Sequence, residues 1–417
     1  MNEREQEQFI CESLRSTFGE QENYVIKDDV HIREGKSYSS FDVVIYYHGL
    51  PYAVFEIKHH ALTIATDRFL NEAKSKLNCY WRILTDGKTC SFLAGENDIY
   101  GTCSFEEMLK RIKDVKAIQP SKAHDALQTI SSIMESHRKT EFVKELEIIP
   151  TASSMPYVCF SSKQTNRRFF ESIIDTFNVE KRELHRYMSL DGAFQTINKL
   201  EYRMNGILGM NDKSEGMYWD EVVGKSNSLM NNMLNDIFIS SFCNERDDLT
   251  MWRLYGDDAK GVCLSFRVKE HYDDKNFIIR GVKYAPKEDE SFRLFRELDT
   301  NRFIFEDIAE WKCFFKPNEY KIEDEYRLLC RGNVKAMGKG KGKEKGKDYH
   351  ITSESSIINP YITLDMLAPD FPLELTCVTL GPKFPAHEGI NIDQLQHLLK
   401  ERGLSQYIQP SNITTYR

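Results

Sequence analysis

Apolar positions along the first hundred residues change period several times, and each change marks an element. Phe9, Ile10, Leu14 and Phe18 fall on one side of a 3.6-residue repeat that ends at Gly19, which predicts an amphipathic helix over residues 3–18. Denser apolar runs follow at Tyr24–Lys27, Phe41–Tyr47 and Tyr52–Lys58 and read as strands. A helical pattern from about Asp67 to Leu77 precedes strands at Tyr80–Thr85 and Thr89–Leu93, which flank the hairpin signal Asp86-Gly87-Lys88. Helix, three strands, helix and two strands predict a compact α/β domain over residues 1–110.

The period lengthens again over residues 111–150. Ala123, Ala126, Leu127, Ile130, Ile133 and Met134 recur at helical spacing with polar residues between them, so a helical linker is expected. From Met155 the chain is rich in aromatic residues, with strand-like runs at Tyr157–Phe160, Ile237–Phe242, Gly261–Phe266 and Tyr326–Leu329 between helical stretches. Residues 151–417 therefore read as a mixed α+β domain. Gly338–Lys347 alternates Gly and Lys and is expected to be a solvated loop.

Composition narrows the class. With 417 residues, 41% of them hydrophobic, the chain can fill more than one core. No apolar run reaches the roughly 18 residues of a membrane span, and the opening Met1–Gln8 has no secretory pattern, so a cytoplasmic protein with no membrane partner is expected. Ten cysteines lie scattered from Cys11 to Cys377 without zinc spacing and are expected to be buried thiols. The net charge of −8 counts mildly against a nucleic-acid partner, although a metal-dependent nuclease can be acidic overall because its site concentrates carboxylates that bound cations offset.

Such a site is legible at Phe41-Asp42-Val43-Val44-Ile45 and Val54-Phe55-Glu56-Ile57-Lys58, joined by His48-Gly49-Leu50-Pro51. Phosphodiester hydrolysis needs hard oxygen ligands for a divalent metal and a cation beside the attacking water. Asp42, Glu56 and the Ile57 carbonyl are the expected ligands, with Lys58 as the cation. Strand alternation sends Glu56 and Lys58 to one face while Ile57 enters the core. These residues, with Ile83-Leu84-Thr85-Asp86-Gly87-Lys88, resemble the PD-(D/E)xK nucleases, in particular the nuclease domain of type I restriction-enzyme motor subunits. The resemblance implies a restriction-endonuclease-like fold and a metal-dependent endonuclease using Mg²⁺ or Mn²⁺, with DNA the favoured nucleic acid. It also implies a further ligand from the first helix, where Glu3, Glu5, Glu7 and Glu12 are available and Glu5 is taken.

The second domain carries other marks. Met251-Trp252 and Tyr255 sit on a helical turn between β-like runs, with Met251 and Tyr255 expected on one face. If Tyr320–Leu329 is one strand, Glu323, Glu325 and Arg327 share a face. With Gly261-Val262-Cys263-Leu264-Ser265-Phe266, Lys316 and the terminal Ser411–Arg417, these residues resemble a widespread bacterial family labelled as a domain of unknown function. Its layout is similar to ADP-ribosyltransferases, which cleave NAD at the nicotinamide bond. That likeness implies Glu325 as the catalytic carboxylate, Tyr157 and Tyr255 as ring platforms, and Arg327 and Ser161 as NAD contacts. The expectation for the whole chain is a bacterial phage-defence or toxin-type nuclease coupled to a sensor or NAD-using domain. Its rival is an ADP-ribosyltransferase or NAD hydrolase whose first domain only binds nucleic acid. A homo-oligomer is compatible with either.

Overall fold

The computed structural model describes residues 3–19, 24–34, 37–58, 68–95, 98–114, 120–149, 156–176, 179–207, 218–224, 237–272, 276–331, 349–354, 357–387, 389–404 and 407–414. The Gly/Lys-alternating stretch 338–347 and the last three residues lie outside them. The fold is mixed α+β. It divides into two compact units that interleave along the chain. The first holds Met1–Phe170, Val223–Asn232 and Glu290–Ile308; the second holds Glu171–Val222, Met233–Asp289 and Ala309–Arg417.

The chain opens with helix α1 (Glu3–Phe18), strands β1 (Tyr24–Glu34), β2 (Ser37–Tyr47) and β3 (Leu50–Ile57), and helix α2 (Arg68–Leu77). Strands β4 (Trp81–Thr85), β5 (Thr89–Ala94) and β6 (Ile99–Ser104) and helix α3 (Phe105–Lys113) follow. The six strands form one sheet in sequence order. All its neighbours are antiparallel except β3 and β4, whose parallel pairing needs the crossover through α2. Alternation fills both faces. Val43, Ile45, Ala53 and Phe55 pack with Ile10, Leu14 and Phe18 of α1 and with Phe105, Met108 and Ile112 of α3. Val44, Val54 and Leu84 pack with Phe69, Ala73 and Leu77 of α2 on the other side. The sequence pattern located the first five elements of this sheet and its helices to within a few residues, apart from β1, which runs on to Glu34; β6 and α3 were not foreseen.

Helix α4 (Pro120–Ser136) covers much of the expected linker and buries Ile130 and Met134. It packs on strands β7 (Leu146–Ile149) and β8 (Tyr157–Phe160), after which helix α5 (Lys163–Ile174) begins. Seven phenylalanines knit this part of the first unit: Phe142, Phe160, Phe169 and Phe170 meet Phe295, Phe303 and Phe305 with ring centroids 4.9–6.1 Å apart. Beside them a buried polar group ties the β2–β3 turn to residue 306. His48 Nδ1 lies 2.6 Å from Glu306 Oε1 and 3.3 Å from Cys159 Sγ, and Asn166 donates to the Glu306 carbonyl.

The chain continues through β9 (Glu183–Met188), α6 (Leu190–Lys199), β10 (Glu201–Gly206), α7 (Tyr218–Val222), β11 (Ile237–Cys243), α8 (Leu249–Tyr255), β12 (Val262–Val268), β13 (Phe277–Gly281) and β14 (Lys283–Tyr284). Helix α9 (Glu290–Thr300) belongs to the first unit. Helix α10 (Ile308–Trp311), strands β15 (Phe315–Lys316), β16 (Glu325–Arg331), β17 (Tyr349–Glu354), β18 (Ile357–Asp365) and β19 (Leu373–Leu380), helix α11 (Ile390–Glu401) and β20 (Tyr407–Pro410) complete the chain. A ten-stranded sheet organises the second unit. One of its faces carries the apolar core, where Leu184, Phe242, Leu264, Phe266, Leu328 and Val378 meet Ala193 and Ile197 of α6 and Leu398 of α11.

All ten cysteines are free thiols, eight of them buried. No described helix is long and apolar enough to cross a membrane. Phe55, fully buried between α1 and α3, tests the assignment of the first core: Phe55→Ala is expected to lower stability by about 3–5 kcal/mol, read as a shifted urea midpoint.

Candidate functional site

The β2–β3 hairpin is closed by two residues, His48 and Gly49, with φ of 49° and 80°. Positive φ at both central positions gives the turn the twist of the flanking strands. Nearest the turn, Tyr47 pairs with Leu50 and Tyr46 with Pro51. Pairing then jumps to Ile45 with Ala53, leaving Tyr52 as an extra residue in β3, and continues through Val43 with Phe55. Continued by one step, this register sets Asp42 across from Glu56.

The side chains confirm that proximity. Asp42 Oδ2 accepts the Ile57 N–H at 2.7 Å, and Lys58 Nζ donates to Glu56 Oε1 at 2.7 Å. The Lys58 amide donates to the Thr85 carbonyl at 2.9 Å, which fixes the strand end against β4. Next to it, the Asp86 carboxylate accepts the Lys88 and Thr89 amides, and Gly87 takes φ of 81°. Partial burial works against the charge on Asp86, but those hydrogen bonds hold its pKa below the ordinary value. Lys58 and Glu56 are partly exposed, so solvent reaches them. Glu5 is exposed on α1; its neighbour Gln6 is buried and donates to the Asp86 carbonyl. Burial pushes the Cys11 thiol up to about 11, with Asp28, Glu7 and Asp42 adding to the rise and Arg15 opposing it. Among the described residues no three His, Cys, Asp or Glu side chains form a metal-binding group. Asp42 and Glu56 with a backbone carbonyl make an all-oxygen donor set of the type hard divalent cations take, with two carboxylates rather than three.

In the second unit the expected strand over Tyr320–Leu329 is broken. Asn318–Glu323 forms a 3₁₀ turn capped by Asp324 in the left-handed region, and β16 starts at Glu325. Glu323 nevertheless joins Glu325 and Arg327, because the turn swings it back onto Lys316. Lys316 Nζ lies 2.6 Å from Glu323 Oε2 and 3.3 Å from Glu325 Oε2. Arg327 grips Glu325 with Nε to Oε1 at 2.8 Å and Nη2 to Oε2 at 3.0 Å. All four side chains are buried. Burial opposes the charge on Glu325, yet Arg327 and Lys316 lower its pKa overall.

Tyr255 reaches this cluster from α8, its hydroxyl donating to Glu323 Oε1 at 2.9 Å while about half of the side chain stays exposed. Met251 and Tyr255 lie four residues apart within α8, on one helical side as their spacing suggested, but their burial differs: Met251 and Trp252 plug the sheet while Tyr255 emerges at the helix end. Trp252 is held by Asp247, whose carboxylate also takes Ser411 Oγ at 2.8 Å and the Asn412 amide at 2.6 Å. Tyr157 and Ser161 belong to the first unit, where Arg302 lies 5.3 Å from the Tyr157 ring and Ser161 Oγ donates to Glu145 at 2.9 Å. Of the residues expected around NAD, the second unit itself brings together Glu325, Arg327 and Tyr255.

Sequence reasoning missed a polar row across the same sheet face. Successive pairings set Glu325 beside Cys243, Cys243 beside His185, His185 beside Ser265, and Ser265 beside Cys377. Directly paired residues share a face, and this face is opposite the apolar core. His185 Nδ1 lies 2.9 Å from the buried Ser265 hydroxyl. The alternation Leu184-His185-Arg186 marks a strand, but the row itself follows from the order of β11, β9, β12 and β19 in the sheet.

Residues 251–328 match a family model described as "Protein of unknown function (DUF2971)". No nuclease or ADP-ribosyltransferase family model matches the chain. No curated protein matches it, and no solved structure does.

Burial pushes the His185 pKa down from 6.5 to about 4, with Glu183 opposing and Arg246 assisting. The unfolded chain thus takes up a proton below pH 6.5 that the folded chain refuses until about pH 4. Stability from this residue is complete above pH 6.5 and is lost as pH falls toward 4, by at most about 1.4 kcal/mol per pH unit. Urea midpoints across that window are expected to fall less steeply for His185→Gln than for the natural chain.

Proposed function

We propose that this chain is a metal-dependent nuclease of a bacterial defence or toxin type. In this reading the first unit cleaves nucleic acid, DNA being favoured, and the second unit senses or uses a nucleotide such as NAD. One observation carries the nuclease reading: the bulged register of β2 and β3 sets Asp42 against Glu56, with the Lys58 ammonium 2.7 Å from the Glu56 carboxylate. Asp42, Glu56 and the Ile57 carbonyl would hold Mg²⁺ or Mn²⁺, which when bound supplies a polarised water and offsets phosphate charge. Lys58 stands where it can exchange its bond to Glu56 for one to the attacking water or to a non-bridging phosphate oxygen. The buried Val54, Phe55 and Ile57 keep the group rigid. A restriction-endonuclease-like fold for this unit is part of the proposal.

Glu56→Ala and Lys58→Ala are each expected to cut cleavage of a DNA or RNA substrate by at least about 100-fold in Mg²⁺ or Mn²⁺. Their melting temperatures should stay near that of the natural chain, because both side chains are partly exposed. Chelation should stop the natural enzyme, and full cleavage by Glu56→Ala would remove the assignment.

A second reading rests on the Lys316–Glu323–Glu325–Arg327 group, all four of which fall in the matched residues 251–328. Burying four charges brings a desolvation cost that apolar residues of similar volume would avoid, so a role beyond stability is favoured. As an ADP-ribosyltransferase or NAD hydrolase, the second unit would use Glu325 to stabilise an oxocarbenium-like ribose. Tyr255 would serve as the nicotinamide platform, with Arg327 holding Glu325 in place. Nicotinamide release from NAD by the natural chain, abolished in the isosteric Glu325→Gln, is the expected result. A natural chain that leaves NAD intact would end this reading without touching the first.

A further inference from the structure

Of the ten cysteines, only Cys90 and Cys103 stand directly opposite one another on neighbouring strands, β5 and β6. Directly paired residues share a face, and both side chains pack in the core on the α1 and α3 side of the sheet. The register fixes their separation. The Phe105 amide donates to the Lys88 carbonyl at 2.9 Å, and the closely spaced ladder bonds recur at every second residue. Cys90 and Cys103 are therefore a hydrogen-bonded pair, with Cα atoms about 5.5 Å apart. That is close to the separation at which disulfides are commonest.

The two thiols differ in access. Cys90 is buried, whereas Cys103 is half-buried on the strand that ends the sheet. A reduced cysteine kept only for packing is usually buried throughout. Burial raises the pKa of both thiols, that of Cys90 to about 12 although its bond to Thr85 opposes the rise. At Cys103 the Arg111 guanidinium opposes the rise and Glu107 adds to it. Access and a nearby cation make Cys103 the first of the two to react.

Closing a disulfide draws the Cβ atoms to about 3.8 Å, nearer than paired strands leave them. No described strand lies on the outer side of β6, so it can tilt toward β5 where a central strand could not. A bond closed against that resistance is also readily reduced again, as strained disulfides are. Cys90 sits at a sensitive place. Its Sγ donates to Thr85 Oγ1 at 3.3 Å, the same oxygen accepts the Gly87 amide at 3.0 Å, and the Thr85 carbonyl accepts the Lys58 amide at 2.9 Å.

We propose that Cys90 and Cys103 are a reversible redox-active thiol pair, closed to a cross-strand disulfide by a peroxide. The Cys103 thiolate attacks one peroxide oxygen and releases hydroxide, leaving a sulfenic acid; the Cys90 sulfur then forms the S–S bond as the sulfenic oxygen leaves as water. Two thiols lose two hydrogens, and one hydrogen peroxide becomes two waters. A disulfide sulfur carries no proton, so closure ends the donation from Cys90 to Thr85. This chemistry is measured without substrate and stands apart from the nuclease reading.

The full chain, treated with millimolar hydrogen peroxide at mildly alkaline pH and then denatured, tests it. Titratable thiols are expected to fall from ten to eight, one pair being lost, and to return to ten with dithiothreitol. The tryptic peptide Thr89–Lys110, which holds Cys90 and Cys103 and no other cysteine, should be lighter by two hydrogens and resist alkylation until reduced. Cys103→Ser and Cys90→Ser should each keep their nine remaining thiols under the same treatment. A natural chain that keeps all ten thiols overturns the proposal. So does a disulfide between other cysteines, or a Cys103 oxidised beyond sulfenic acid while Cys90 stays free.

Discussion

One surplus residue in β3 governs the geometry of the first unit's candidate site. Were the pairing set at the turn by Tyr47 and Leu50 carried on unbroken, Asp42 would stand across from Phe55, a core residue. Tyr52 is skipped instead, and Asp42 meets Glu56. The bulge falls beside Pro51, which has no N–H to offer a ladder and so favours a break there. Carboxylate pairing and core packing are thus decided together, because a slip of one residue turns every side chain over. The far end of the same hairpin is fixed by His48, whose buried contact with Glu306 holds the turn to a segment 258 residues away.

The second unit treats the two faces of its sheet differently. Phe242, Leu264 and Leu328 alternate with Cys243, Ser265 and Arg327, so each strand gives one side to the apolar core and the other to polar groups. Those polar groups are buried or half-buried, which leaves each of them dependent on a neighbour. Glu325 has Arg327 and Lys316, His185 has Ser265, and Asp247 has Trp252 and the Ser411 segment. A network of this kind fixes geometry strongly, since losing one member exposes the others to an unpaired state in a poorly solvated place.

What was legible in the sequence follows from how local each determinant is. The helix over residues 3–18, the strands carrying Asp42 and Glu56, and the Asp86-Gly87 turn are set by periodicity and turn chemistry within a few residues, and they were found. The bulge at Tyr52 was not read, although the partners Asp42 and Glu56 were. Glu323, Glu325 and Arg327 were grouped through an assumed strand, whereas the left-handed Asp324 and the reach of Lys316 bring them together. Met251 and Tyr255 were read onto one helical face and both lie in α8, but spacing alone does not show that the core ends before Tyr255. The row through His185 and Ser265 depends on strand order, which no short-range pattern encodes.

The interleaving of the units has a consequence for synthesis. Phe160, Phe169 and Phe170 wait for Phe295, Phe303 and Phe305, and His48 waits for Glu306. A nascent chain that has just released its first 170 residues from the ribosome lacks these partners and cannot close this part of its interior. The segment carrying the candidate nuclease residues is therefore made early but completed late, after most of the chain has emerged.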